Sequence, residues 1–109
     1  MKFKMESLEK SIRIAFCEAF LYRSARCMSV LLNLLYNDKG EALPIDYVEC
    51  HLFPSIGKSH SVPIALVYNG VANGFLVCNE DKRVLGLISK DDMASTRKTF
   101  YEVAQWVDR

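Results

Sequence analysis

The 109-residue chain has little proline, little glycine and almost no net charge. Three prolines and five glycines are too few for a collagen-like or low-complexity disordered chain. The 14 basic and 13 acidic side chains leave a formal charge of +1, so no strong field attracts nucleic acid or an anionic membrane surface. We therefore expect one folded domain spanning residues 1–109, with neither a nucleic-acid partner nor a membrane partner.

Long hydrophobic runs are also missing. The longest uncharged run in the N-terminal region, residues 27–37, has 11 residues, whereas a membrane-spanning helix needs ~20. Glu6, Glu9 and Arg13 interrupt any apolar core that a signal peptide would need. The sequence therefore predicts a cytoplasmic protein.

The chain has neither a disulfide pattern nor a metal-binding pattern. Its four cysteines are scattered and form no C-x-x-C pair: Cys17, Cys27, Cys50 and Cys78. With only His51 and His60 besides, the three or four ligands of a metal site are hard to assemble. We expect reduced thiols, no metal and no other cofactor.

Motifs for nucleotide binding and catalysis are incomplete. Gly57-Lys58-Ser59 has the end of a phosphate-binding loop, but Leu52 stands where the first glycine of that motif is required. Cys50 and His51 are adjacent in a predicted strand, so their side chains point to opposite faces. The sequence therefore predicts no catalytic residues and no enzyme. The alternative is a small enzyme or ligand-binding domain with a Cys/His pocket between the first helix and the sheet.

What the sequence does contain is a stretch without proline or glycine over residues 7–36, which predicts one long helix with Ser7 as its N-cap. Apolar residues recur on two sides of this helix. The first stripe consists of Leu8, Ile12, Phe16, Ala19, Cys27, Val30 and Leu34. The second stripe consists of Ile14, Cys17, Leu21, Met28, Leu32 and Leu35. A second apolar stripe requires a second packing partner.

The remainder predicts strands at about 45–53, 62–68, 75–79 and 84–89, then a helix over 90–107 with Ser89 as its N-cap. The fold class is therefore α+β: a long N-terminal helix, a three- or four-stranded mainly antiparallel sheet and a C-terminal helix. The strands at 62–68 and 84–88 are apolar on both faces, which is typical of strands covered on both sides. Either the helices cover one face each, or they share one face and a second subunit covers the other.

The order of helix, strands and helix resembles the double-stranded RNA-binding domain in outline. That resemblance would imply a lysine cluster at the start of the second helix, but Asp91 and Asp92 stand there in this chain. Secretion-type chaperones have a similar outline and form dimers, and they are a further alternative, although their usual acidity is missing here.

Two arginines fall within the first stripe of the long helix. Arg23 and Arg26 indicate a kink near Ser24, an ion pair with a carboxylate such as Glu49, Asp46 or Asp38, or a contact across an interface. Trp106 lies off the apolar stripe of the second helix, where it either packs over the sheet edge or anchors a partner. On the interface interpretation, the unbroken second stripe is core and the partner-binding residues are Arg23, Arg26, Phe16, Val30 and Trp106.

Missing motifs and surplus apolar surface together predict a non-catalytic protein-binding module that acts by occlusion. A small inhibitor, an immunity-like protein or an anti-defence protein would fit, and we expect it to self-associate as a homodimer. The sequence does not indicate which protein the partner is.

Overall fold

The computed structural model describes residues 2–54 and 60–108, with side chains from residue 7 onward. Three helices are present: α1 (Lys2–Tyr22), α2 (Ala25–Leu35) and α3 (Met93–Val107). Four strands lie between α2 and α3: β1 (Tyr47–Leu52), β2 (Val62–Asn69), β3 (Gly74–Cys78) and β4 (Val84–Ile88). The predicted α+β class is confirmed. The Gly57-Lys58-Ser59 segment lies outside the described residues.

The four strands form one antiparallel sheet in the order β1-β2-β3-β4, so each strand pairs with its neighbour in sequence. Both asparagine-glycine signals lie in the connection between β2 and β3, where Asn69 pairs with Gly74. Asn73 takes a left-handed conformation there, with φ of 46°. Asparagine tolerates this region better than most residues, which is why it marks the turn.

The single helix predicted over residues 7–36 is wrong, because the chain breaks at Arg23 and Ser24. Arg23 adopts φ of 47°, and the Ser24 hydroxyl accepts a hydrogen bond from the Cys27 backbone N–H at 3.1 Å. Ser24 is thus the N-cap of a new helix. The kink that the arginines indicated is present. The first helix also starts before the predicted cap, because Ser7 lies within α1.

The break changes which stripe faces the core, so the assignment of the whole second stripe to the core is wrong. In α1 the buried residues belong largely to the first stripe: Ile12, Ala15, Phe16, Ala19 and Phe20. In α2 the buried residues are Met28, Leu31, Leu32 and Leu35, and all of them except Leu31 belong to the second stripe. Ile14 and Leu21, from the second stripe, are 50% and 58% exposed. A left-handed residue rotates the following helix about its axis, so no single stripe can remain buried across the break.

The cap of the C-terminal helix is also different from the prediction. α3 begins at Met93, and its N-cap is Asp92, whose carboxylate accepts a hydrogen bond from the Ser95 N–H at 2.9 Å. Ser89, the predicted cap, instead closes a turn in which its carbonyl accepts from the Asp92 N–H at 3.2 Å. A carboxylate at this position also suits the positive end of the helix dipole.

All three helices lie on one side of the sheet, and α1 and α3 pack directly against it. α1 contacts β1, α3 contacts β4, and the two helices meet where the Phe16 and Phe100 rings lie 4.9 Å apart. α2 packs on both of them. The buried face of the sheet consists of Val48, Cys50, Leu52, Ile64, Leu66, Phe75, Val77 and Ile88, each at most 2% exposed. The helices therefore lie on the same side of the sheet, which is one of the two arrangements that the sequence left open.

Candidate functional site: the open face of the sheet

The face of the sheet opposite the helices carries two complete rows of side chains, which follow from the strand register. One row, called here the large row, consists of Tyr47, Val67, Leu76 and Leu87. The other, called the small row, consists of Glu49, Ala65, Cys78 and Val84. His51 and Pro63 begin a third row beyond Glu49 and Ala65. We call these ten residues the open face.

A β-bulge completes the small row. Val77 pairs with Gly86 whereas Cys78 pairs with Val84, so Leu85 has no opposite residue in the ladder. The extra residue reverses the alternation of β4 at this point. Val84 therefore lies beside Cys78 on the open face and is 50% exposed, while Leu85 packs against the core.

The open face has a ridge and a groove. The centre of the large row is formed by Val67 and Leu76, while the centre of the small row is formed by the smaller Ala65 and Cys78. A groove of about 440 Å³ runs along the smaller side chains, with Tyr47 among its walls. Apart from Glu49, the other seven side chains of the two rows carry no ionised group at neutral pH, so the surface is apolar at its centre. The groove is polar at the β1 edge and also where Asn79, Glu80 and Lys82 of the β3–β4 turn line it.

The polar edge is a chain of hydrogen bonds on the exposed side of β1. The Tyr47 hydroxyl donates to one Glu49 carboxylate oxygen at 2.9 Å, and His51 Nε2 lies 2.9 Å from the other. Both contacts lower the pKa of the Glu49 carboxyl, and the hydrogen bond from Tyr47 lowers it more than the one from His51 does. The same hydrogen bond raises the pKa of the Tyr47 hydroxyl, because losing its proton would place two negative charges together. Glu49 is therefore an ionised acceptor at the rim of an apolar surface.

Ser61 extends this chain, since its hydroxyl lies 3.5 Å from His51 Nδ1. Serine, histidine and an acid in this order are also found at nucleophilic sites. Here the serine contact is at the limit of a hydrogen bond, and the His51 side chain is 53% exposed to water. Such a geometry lacks the short, oriented contact by which a base activates a nucleophile. The polar edge is better suited to accepting hydrogen bonds than to catalysis.

Both edges of the sheet are capped by helix side chains. At β1, Arg13 Nε donates to the Glu49 carbonyl at 3.0 Å and the Cys17 thiol to the His51 carbonyl at 3.8 Å. At β4, the hydroxyls of Ser95 and Thr99 both donate to the Leu87 carbonyl at 3.0 Å. Unpaired edge carbonyls are the groups that recruit an additional strand. With these three carbonyls satisfied, the sheet edges are less able to recruit an additional strand.

One hydrogen-bond donor at the end of the groove, in Asn79, has no acceptor among the described residues. Asn79 shapes the β3–β4 turn, where its side-chain oxygen accepts from the N–H groups of Asp81 and Arg83, each at 2.9 Å. Its side-chain nitrogen Nδ2 is buried and has no hydrogen-bond partner among the residues that the structure describes. A buried unsatisfied donor costs ~1–3 kcal/mol.

The partner-binding residues predicted from the sequence lie in three separate places. Phe16 has no exposed surface and packs against Phe100, so its assignment to an interface is wrong. The reason is the helix break at Arg23 and Ser24. It lets α1 and α2 turn different faces to the core, and in α1 the buried face is the first stripe. Arg23 is half-buried at the break, and its guanidinium donates to the Phe20 carbonyl of its own helix at 2.9 Å rather than to the predicted carboxylate.

Arg26 and Val30 are exposed on α2, where they line a depression of about 190 Å³ with Ala15, Glu18 and Cys27. Trp106 is half-buried at the end of α3. It packs against the core and lines a shallow hollow of about 110 Å³ that includes Leu85 of β4 and Glu102. Trp106 therefore lies beside Leu85 of β4, and its role in binding a partner stays a prediction.

The cysteine and histidine of the alternative active site are separated by the sheet. Cys50 is buried on the helix side, and this burial raises the pKa of its thiol to about 12. His51 points to the open face. Burial also raises the pKa of the Cys17 and Cys78 thiols. Reactive cysteines need a lowered pKa, so Cys50 is poorly suited to act as a nucleophile.

Within residues 2–54 and 60–108, no three histidine, cysteine or acidic side chains come together as a metal site would require. None of the described helices combines the length and the apolar character needed to cross a bilayer. Comparisons with models of protein families, with curated proteins and with solved structures found no match.

The sequence-based interpretation missed the open face as a defined site. The signal was present in the strands at 62–68 and 84–88, which are apolar on both parities. Which of these apolar residues share a row depends on the strand register and on the bulge at Leu85. Neither of these can be read from local sequence.

Proposed function

We propose that this chain is a non-catalytic protein-binding module whose binding surface is the open face. The observation that carries the proposal is the placement of all three helices on one side of the sheet, opposite two rows of largely apolar side chains; α1 and α3 pack on the sheet and α2 packs on them. A contiguous apolar surface with a polar rim is typical of a protein-binding site.

The open face also defines what it would bind. Tyr47, which is 54% exposed, is an aromatic residue beside the groove, and aromatic residues often contribute most of the energy at interfaces. Glu49 accepts hydrogen bonds at the rim. A complementary partner has an apolar surface bordered by a hydrogen-bond donor. Binding would cover that surface, so the mode of action is occlusion, as in an inhibitor or immunity-like protein.

The proposal is tested by capture from a cell extract with matched bait proteins and quantitative mass spectrometry. The baits are the wild type, Tyr47→Ala and Tyr101→Ala; Tyr101 is a tyrosine of similar exposure, 52%, on α3. We expect Tyr47→Ala to reduce recovery of the specific partner about tenfold or more, as loss of an interface anchor does. Tyr101→Ala should retain it.

A fourth bait, Val30→Glu, tests the α2 surface that the sequence indicated; Val30 is 52% exposed. Loss of the partner with Val30→Glu and its retention with Tyr47→Ala would assign binding to α2 and refute the open face. Equal recovery on all four baits would refute specific binding through either surface.

A further inference from the structure

We propose that the open face binds a second copy of this chain, around a twofold axis that runs across the strands between the large row and the small row. This inference rests on the proposed function, because it names the occupant of the same surface. The arrangement is a face-to-face pair of sheets, in which each strand lies over its own copy.

Shape complementarity favours this axis. A twofold rotation about a line between the rows places the large row of one copy over the small row of its partner. Leu76 then lies opposite the partner's Cys78, and Val67 lies opposite the partner's Ala65. The ridge of each copy enters the groove of the other, and the contact is made twice because a twofold interface is isologous. An axis parallel to the strands would instead place the large rows against each other and leave the groove unfilled.

Hydrogen bonding at the rim agrees with the same axis. Because β1 lies over its own copy, Tyr47 of one chain is placed near the partner's Glu49, and the reverse contact follows by symmetry. The Tyr47 hydroxyl already donates to Glu49 within the chain at 2.9 Å. The two tyrosines can exchange acceptors without leaving a carboxylate unpaired. The donors and acceptors at this edge are therefore self-complementary.

Other routes to self-association are less favourable. The capped carbonyls of Glu49, His51 and Leu87 disfavour joining two sheets edge to edge. Packing face to face avoids this problem, because aligned sheets stack ~10 Å apart through their side chains alone. The apolar centre of the open face supplies side chains of this kind.

The size of the open face sets the expected strength. Four strands ~4.8 Å apart and six residues of ~3.3 Å each give a flat area of roughly 20 by 20 Å. Two such faces bury on the order of 800 Å², which is below the ~1,000 Å² of a stable complex and is typical of a weak, transient one. We therefore expect a reversible dimer with a dissociation constant on the order of 10 µM.

The first test is sedimentation equilibrium of the wild-type chain from ~1 to ~500 µM, a range that brackets the expected constant. The average mass should rise from 12.4 kDa toward twice that value. Val84→Glu should weaken the dimer at least ~100-fold, since it buries a charge in the small row. Ile14→Glu is the matched control, because Ile14 on α1 is equally exposed at 50%. It should dimerise like the wild type.

Circular dichroism checks that each variant is folded. Tyr47→Ala, paired with Tyr101→Ala, repeats the comparison with substitutions that add no charge. We expect Tyr47→Ala to weaken the dimer about tenfold and Tyr101→Ala to leave it unchanged.

The second test locates the axis by cross-linking with a bis-maleimide that spans ~10 Å, the separation of stacked sheets. One variant, Cys17→Ser with Cys27→Ser, leaves Cys78 as the accessible thiol; the other, Cys17→Ser with Cys78→Ser, leaves Cys27 on α2. Cys50 stays in both because it is buried. The proposed axis brings Cys78 near the partner's Cys78, so the first variant should form a covalent dimer and the second should not.

Three results would overturn the proposal in different ways. A wild-type chain that stays monomeric throughout refutes the homodimer, while loss of a different captured protein with the Tyr47→Ala bait would still support the proposed function. A dimer dissociated by Ile14→Glu but not by Val84→Glu places the interface on α1. A dimer sensitive to Val84→Glu that cross-links through Cys27 and not through Cys78 refutes the axis.

Discussion

At the scale of single residues, Cys50 shows how the sheet separates chemistry that the sequence placed side by side. It precedes His51 in the chain, yet the pleat sends its thiol into the core and the imidazole to the open face. Burial disfavours the thiolate, which raises the pKa of Cys50 to about 12 from an ordinary 9.0. The residue behaves as a small apolar side chain.

This shift predicts how stability depends on pH. Because the folded pKa is raised, the thiol's contribution is fully present below pH 9.0 and is lost as pH rises toward about 12. Over that window, the unfolding free energy of the wild type should fall faster than that of Cys50→Ala, by about 1.4 kcal/mol per pH unit. Urea titrations at several pH values measure both proteins. Parallel curves for the two would show that the folded thiol ionises normally.

At the scale of elements, the break between α1 and α2 decides which residues form the core. Arg23 in the left-handed region and Ser24 at the N-cap together end one helix and begin another. The change of phase buries Phe16 before the break and Met28 after it. It also leaves Ile14 and Val30 exposed on the helices, so Ile14→Glu serves as the matched control for Val84→Glu, and Val30→Glu tests the α2 surface.

Removing the cap should destabilise the protein by a modest amount. Ser24→Ala deletes the acceptor for the Cys27 N–H and should lower the free energy of unfolding by ~1 kcal/mol. Ser29→Ala, on the exposed side of α2, is the control and should change stability by less than ~0.5 kcal/mol. Thermal or urea unfolding of the two variants compares them. If Ser24→Ala is as stable as Ser29→Ala, the cap has no energetic role.

At the scale of the whole molecule, the packing of three helices on one side of the sheet sets the available surface. α3 comes close to β4 at Gly86, where a Cβ would clash with the Thr99 hydroxyl oxygen and lie 2.9 Å from the Thr99 Cβ. The Thr99 hydroxyl in turn donates to the Leu87 carbonyl. This close contact of helix and sheet explains why a glycine interrupts an otherwise apolar strand.

Gly86→Ala should therefore push α3 away from the sheet. We expect a loss of ~1–3 kcal/mol in the free energy of unfolding, the usual result of overpacking. Gly70→Ala is the control, since its nearest neighbour is the tip of the Tyr68 side chain at 3.3 Å. It should cost less than ~1 kcal/mol. Equal losses in the two variants would contradict the close contact at Gly86.

Much of the fold could be predicted because its signals are local. The strands follow from runs of β-branched and apolar residues, and the β2–β3 turn from Asn69-Gly70 and Asn73-Gly74. The helix break could be indicated but not settled. A serine and an arginine are both compatible with a continuous helix. The free energy of a continuous helix and that of a helix restarted at a serine N-cap differ by only ~1 kcal/mol.

The candidate site was harder to predict. A continuous helix places Phe16 on the same side as Val30, which is why the sequence indicates an interface there. Nothing in the local sequence joins Tyr47, Leu76 and Leu87 into one surface, since they come from three strands far apart in sequence. Their proximity results from hydrogen-bond register, which is a property of the assembled sheet.

The sequence alone predicts the fold class and more apolar residues than a single stripe on each helix requires. Both depend on composition and periodicity, which are properties of neighbouring residues. The location of the exposed apolar residues follows from the tertiary packing alone. The helix break buries first-stripe residues in α1 and second-stripe residues in α2, and the bulge at Leu85 places Val84 on the open face. Exposed apolar surface therefore lies on the sheet, at Tyr47 and Val84, as well as on the helices, at Ile14, Leu21 and Val30.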